Sequence, residues 1–182
     1  MIILYLKSIN KIIRDPDPKV FEELGYDDLL WIALVVPTAK ERKLVESFLD
    51  VNLLTRQQAE EIETSSRYSE LEDSIICNTS FTILKDGRFE VETVSFILSE
   101  GLLVSERNSD LRPFSEASRK IQMNYRSYTT GYHVLVSILE ARIDLDADMV
   151  EIISRQIAAL NATNNDVDKS VDKEVLLEIN RL

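Results

Sequence analysis

The chain has one cysteine, one histidine and four glycines in 182 residues. Cys77 alone excludes an intrachain disulfide and any multi-thiolate zinc centre, and fits a reducing compartment. It reads as a small apolar residue on a strand, with no neighbouring histidine or basic group to make it a thiolate. His133 is the one place where Ser-His-Asp or imidazole–zinc chemistry can run, and nothing around it supplies a nucleophile elbow or a paired ligand. With so few glycines, no phosphate-cradling loop is present. Basic residues are also scarce: 21 Lys and Arg face 32 Asp and Glu, for a formal charge of -11. Such a balance repels nucleic acid and anionic membrane surfaces and attracts cations. No nucleic-acid partner is expected, and Trp31 and the tyrosines, lacking interleaved basic residues, read as core. Long apolar runs are missing too. Leu29 to Val36, closed by Pro37, falls far short of the roughly 20 residues of a membrane helix. Met1 to Lys7 has no basic leader and reads as a strand, not a signal peptide.

What is present alternates short strands with helices. Leu29 to Val36 has the aliphatic density of a buried strand. Thr38-Ala-Lys-Glu41 has capping-box spacing and opens a helix through about Leu49. Thr55-Arg-Gln-Gln58 repeats the device and predicts a second short helix. From Ser74 the period changes to two, placing Ile75, Cys77, Thr79, Phe81 and Ile83 on one face. Gly87 supplies the positive φ of a tight turn, Phe89 to Leu98 returns, and Leu102 to Glu106 completes a three-stranded antiparallel meander. After Pro113 the period is helical, first over about Phe114 to Asn124, then from about Thr130. Leu135, Leu139, Ile143, Val150, Ile153, Ile157 and Leu160 form an apolar stripe along one long helix. Asn161 to Asn165 is expected to interrupt or bend it. Val167, Val171, Val175, Ile179 and Leu182 resume a stripe, and the sequence stops with no glycine cap or proline breaker, as if mid-helix.

Glu140, Asp144, Asp148 and Glu151, spaced four, four and three, put four carboxylates along one side of the long helix. Like charges at that spacing repel by a few tenths of a kcal/mol per pair, so the row needs water, a counter-charge or a metal. Arg155 offsets one end. A charge run of this kind is commonly a solvated face. The sharper alternative is a hard-cation site, because Mg²⁺ takes carboxylate and water oxygens. Asp144-Leu-Asp-Ala-Asp148 resembles the opening of a calcium loop, but Met149 stands where the turn glycine belongs and no closing glutamate follows. A second acidic cluster, from Glu60, Glu61 and Glu63 to Glu70, Glu72 and Asp73, has the same two readings.

Four ordered strings carry a family resemblance. They are Leu29-Leu-Trp31-Ile-Ala-Leu34 with Pro37, Thr38 and Glu41; Ser65-Ser-Arg67-Tyr-Ser-Glu70-Leu-Glu-Asp73; Val94-Ser-Phe-Ile-Leu98 before Leu102-Leu-Val-Ser-Glu-Arg107; and Tyr132-His-Val-Leu135 through Ile138-Leu-Glu140-Ala-Arg-Ile-Asp144. In order and separation, over nearly the whole chain, they resemble the N-terminal cytoplasmic domain of CorA-type magnesium transporters.

The resemblance implies an α/β/α sandwich around a mixed sheet over residues 1–125, followed by long C-terminal helices over 126–182 that lead toward a stalk and two membrane spans beyond this chain. It implies a homopentamer on the cytoplasmic side of the inner membrane, joined to the membrane only through those missing helices. It also implies Mg²⁺ as transported and regulatory ion, with Co²⁺ a further substrate. Metal-sensing positions implied by the matching strings are Glu140, where the family usually has aspartate, and the pair Glu60 and Glu61. Asp144 and Asp148 join them from the acidic row. No enzymatic activity is implied. Two other readings stand beside it, an unrelated soluble acidic binding module and a hydrolase using paired carboxylates. The latter needs a cleft with two acids of separated pKa values, which the sequence does not show.

Overall fold

The computed structural model describes residues 1–7, 10–50, 53, 68–71, 74–85 and 87–165. Strand β1 (Ile2–Leu6) pairs antiparallel with β2 (Ile12–Arg14) on one side and β3 (Leu29–Val35) on the other. Between them lie α1 (Pro18–Glu23), whose Asp17 side chain caps the Lys19 amide, and a 3₁₀ turn (Tyr26–Asp28). Helix α2 (Ala39–Leu49) follows β3. Then come β4 (Tyr68–Leu71), β5 (Ser74–Lys85), β6 (Arg88–Ser99) and β7 (Leu102–Arg107). The seven described strands form one sheet in the order β2-β1-β3-β7-β6-β5-β4. Only the β3–β7 pair is parallel among them, so the sheet is mixed and the expected meander β5-β6-β7 is one contiguous part of it.

Helix α3 (Arg112–Met123), a 3₁₀ turn (Tyr125–Ser127) and α4 (Gly131–Asn165) complete the described chain. Each face of the sheet is covered. Phe21 of α1 and Val45 of α2 join Ile2, Leu4, Ile32 and Leu34 on one face. Phe114, Ala117 and Ile121 of α3 and Val134 and Ile138 of α4 join Ile3, Tyr5, Trp31 and Phe96 on the other. The alternation along β1 and β3 feeds both cores, which is why all seven residues of β3 are buried. Each large apolar side chain so enclosed stabilises the fold by about 1.5–3 kcal/mol. The architecture is therefore the α/β/α sandwich around a mixed sheet that the sequence implied.

The α2 capping box forms as read: the Thr38 hydroxyl accepts from the Glu41 amide and the Glu41 carboxylate accepts from the Thr38 amide. Three expectations need correction. Pro113 lies inside the first turn of α3, where its missing N–H costs nothing, so the helix starts before it. Asn161 to Asn165 are helical, continuing α4 without a break. The third concerns which face of α4 is buried. Val134, Ile138, Ala141 and Met149 meet the body, whereas Leu139, Ile143, Val150 and Ile157 of the expected stripe are exposed. The predicted helix from Thr55 lies outside the described residues.

Two contacts fix α4 on the sheet. Gly131 sits so close to β7 that a Cβ there would overlap the Leu103 amide nitrogen and lie 2.7 Å from the Leu102 carbonyl carbon. Further along the same helix, Arg142 lies over the Phe81 ring at 4.4 Å, binds Asp146 at 2.8 Å and donates to the Ser80 carbonyl. Gly131→Ala is expected to lower stability by about 2–3 kcal/mol, since backbone must move to admit the methyl group. Gly87→Ala, with φ +75° but nothing within 4 Å, is expected to cost about 1 kcal/mol. Urea denaturation compares them; equal losses would refute the close approach.

Candidate acidic metal face

The acidic row occupies α4. Glu140, Asp144, Asp148 and Glu151 are all exposed, one below another along the helix. Counter-charges reach its two ends. Lys120 of α3 stands 3.5 Å from Glu140, and Arg155 pairs with Glu151 as the spacing predicts. Among the described residues, no salt bridge engages Asp144 or Asp148. Asp148 does act on Arg112, whose pKa is raised by its hydrogen bond to Glu116 and more weakly by Asp148. Asp146 turns away from the row to Arg142, and residues 144–149 are helical, so no calcium loop forms.

Among the described residues, no three His, Cys, Asp or Glu side chains converge closely enough to hold a metal ion. The row thus offers single carboxylates at helical intervals and, among the described residues, no enclosed cage within one copy. Glu60 and Glu61 lie outside the described residues, as do Glu63, Glu72 and Asp73; of that second cluster Glu70 is described, exposed on β4.

The remaining candidates fall where chemistry is weakest. His133 is exposed at the start of α4, its Nδ1 3.1 Å from the Thr130 hydroxyl. It borders an open groove of about 510 Å³ between α3 and α4, with Tyr128, Tyr132, Val136 and Met123 on its walls and the Lys120–Glu140 pair at its rim. Cys77 is half-buried, and burial pushes its thiol pKa up. Trp31 is fully buried and donates to the Ser105 hydroxyl across β3 and β7 at 2.9 Å.

Three charges that are buried or partly buried were not foreseen in the sequence. Arg42 of α2 pairs with Glu106 of β7. Burial raises the Glu106 pKa, Arg42 opposes that, and Glu46 adds to it. Arg107 is buried over the Phe114 ring at 4.2 Å, donates through Nε to the Ser109 carbonyl, and has its pKa lowered by burial. For Glu106 and Arg107 the signal was the run Ser105-Glu106-Arg107 inside a strand: period two forces at least one of the charges inward.

The architecture and its acidic helix define the class: an α/β/α sandwich domain carrying an exposed row of carboxylates on a long helix. The chain belongs to the CorA family, whose profile, described as CorA-like Mg2+ transporter protein, matches residues 26–182. It is 28% identical over 167 residues to the magnesium transport protein CorA of Wolinella succinogenes, covering 89% of this chain and 52% of that protein. The complete CorA magnesium transporter of Methanocaldococcus jannaschii is similar in fold, with a TM-score of 0.70 at 14% identity, over 98% of this chain and 55% of that one. The soluble domain of the same transporter gives 0.64 at 12% identity, over 100% of this chain and 71% of that one. The chain thus spans about half the length of the curated relatives it matches. Among the described residues, no helix is long and apolar enough to cross a membrane.

Arg42→Met tests the partly buried pair with Glu106. Glu106 has a folded pKa above its unfolded one, so the stability it contributes is greatest when protonated and falls as pH rises through the folded pKa. Without Arg42 its pKa rises further. The variant is expected to lose about 2–3 kcal/mol at pH 7, less than a fully buried pair would. The loss should shrink as pH falls through the carboxylate range, as read by urea denaturation; a pH-independent loss would contradict the assignment.

Proposed function

We propose that this chain is the regulatory and assembly domain of a divalent-cation transport channel, sensing Mg²⁺ between subunits on the cytoplasmic side of the inner membrane. Mg²⁺ is the transported ion of the complete polypeptide, with Co²⁺ a second substrate. The complete protein self-associates as a homopentamer and meets the membrane through C-terminal helices outside the described residues. Residues 1–125 are the sandwich and 126–182 the helical segment leading toward a stalk. No catalytic residue is assigned.

Membership of the family supports the transport class. The observation that carries the sensing role is the exposed row on α4, in which Asp144 and Asp148 have no salt bridge among the described residues. Glu140, Asp144 and Asp148 supply ligands from one copy, and a neighbouring subunit, or Glu60 and Glu61, completes the set. Mg²⁺ retains several waters and binds through one or two carboxylates, which a shared surface site provides and a single-copy cage does not require. The mechanism is population shift: the ion bridges acidic groups of adjacent subunits in the closed state, and its loss lets them repel and separate.

Neutralising Glu140, Glu60 and Glu61 together to Gln in the complete protein is expected to weaken closure by Mg²⁺, measured as residual ion flux against Mg²⁺ concentration. Closure at the unaltered concentration would remove these positions from the site. For the 182-residue chain, light scattering in millimolar Mg²⁺ and then in chelator is expected to show a larger assembly only with the cation. Identical masses would mean that α4 does not hold a shared ion in this chain.

A further inference from the structure

Helices α3 and α4 meet along a ladder of charges. Lys120 Nζ of α3 stands 3.5 Å from Glu140 Oε2 of α4. Eight residues earlier on α3, Arg112 is attracted by Asp148, which lies eight residues later on α4. Equal steps in opposite directions make the two helices antiparallel and fix their register, bringing Glu116 level with Asp144 between those rungs. Rungs four residues apart are separated by about 6 Å of helix rise. The two cations are differently committed. Arg112 is held at 2.7 Å by Glu116, one turn along its own helix, so Asp148 receives only part of its charge. Glu140 is the one salt-bridge partner of Lys120 among the described residues. With side chains 40% and 60% exposed, this pair sits in water, where such contacts are weak and exchange readily. An open groove beside it, walled by Met123 and Val136, gives the lysine stem an apolar bed when its ammonium leaves.

We infer that Lys120 is a tethered competitor for the divalent cation: its ammonium occupies Glu140 while no ion is bound and is displaced when the ion takes that carboxylate. The inference rests on the proposed role of Glu140 as a ligand and adds a residue that sets how much ion the site requires. Tethering keeps the ammonium at high effective concentration beside its carboxylate, so it raises the ion concentration needed without abolishing binding. It also discriminates by charge. A monovalent ion gains nothing over the single charge it would displace, whereas Mg²⁺ brings two charges and takes carboxylate oxygens directly. Arg112 does not serve in the same way, because its first commitment is to Glu116.

In the complete protein the readout is the Mg²⁺ concentration that halves ion flux. Lys120→Met keeps the stem and removes the charge, and is expected to lower that concentration by roughly two- to five-fold, the range set by one exposed ion pair. Lys120→Arg retains a cation and should stay near the parent value. In a Glu140→Gln background no carboxylate is contested, so Lys120→Met should change nothing there. Disturbed packing does not imitate this pattern, because a loosened α3–α4 contact would raise the concentration needed. The inference falls, with the sensing role intact, if Lys120→Met leaves the concentration unchanged, raises it, or lowers it equally in the Glu140→Gln background. A parent protein that Mg²⁺ fails to close would remove the sensing role and this inference with it.

Discussion

Everything on the outside of α4 depends on how its inside is held. Gly131 brings the helix start against the Leu103 backbone, and Arg142, paired with Asp146 of the same helix, ties it to β5 through the Phe81 ring and the Ser80 carbonyl. Two anchors, one at the helix start and one about three turns on, define a rotation as well as a line. A helix held at one point can roll; held at both, it presents one particular arc to solvent. The arc left outward carries both the carboxylate row and the exposed aliphatic residues Val136, Ile143, Val150 and Ile157.

That partition explains where the sequence was legible. The meander was readable because three runs alternate with period two and Gly87 and Gly101 adopt the positive φ that tight turns require. The capping box at Thr38 was readable because its chemistry is local. The inward face of α4 was not: apolar residues occur at three- and four-residue steps on both sides, so periodicity identifies a helix without saying which stripe the sheet takes. β2 and β4 escaped notice because Ile12-Ile13-Arg14 is short and Tyr68-Ser-Glu-Leu71 is polar, as edge strands are.

The candidate site divides along the same line. The positions Glu140, Asp144, Asp148 and Glu151 followed from spacing alone, and the helix places them in the expected row. Their partners did not follow, because the Lys120–Glu140 contact joins two helices whose relative placement is a tertiary fact. The Arg42–Glu106 pair was hidden for a similar reason. A charge within an aliphatic strand announces burial but not its counter-ion.

The parallel pairing of β3 with β7 has a consequence for how the chain comes to be folded. Trp31 meets Leu103, and no described strand between them in sequence lies between them in the sheet. On a ribosome adding about 5–20 residues per second, β3 emerges several seconds before its neighbour exists. For that interval an aliphatic strand with an open edge is available to any chaperone or any other nascent chain. Contacts so distant in sequence also slow folding, because loop closure must precede the reward. The strand that organises the finished sheet is thus the segment most exposed to misassembly during synthesis.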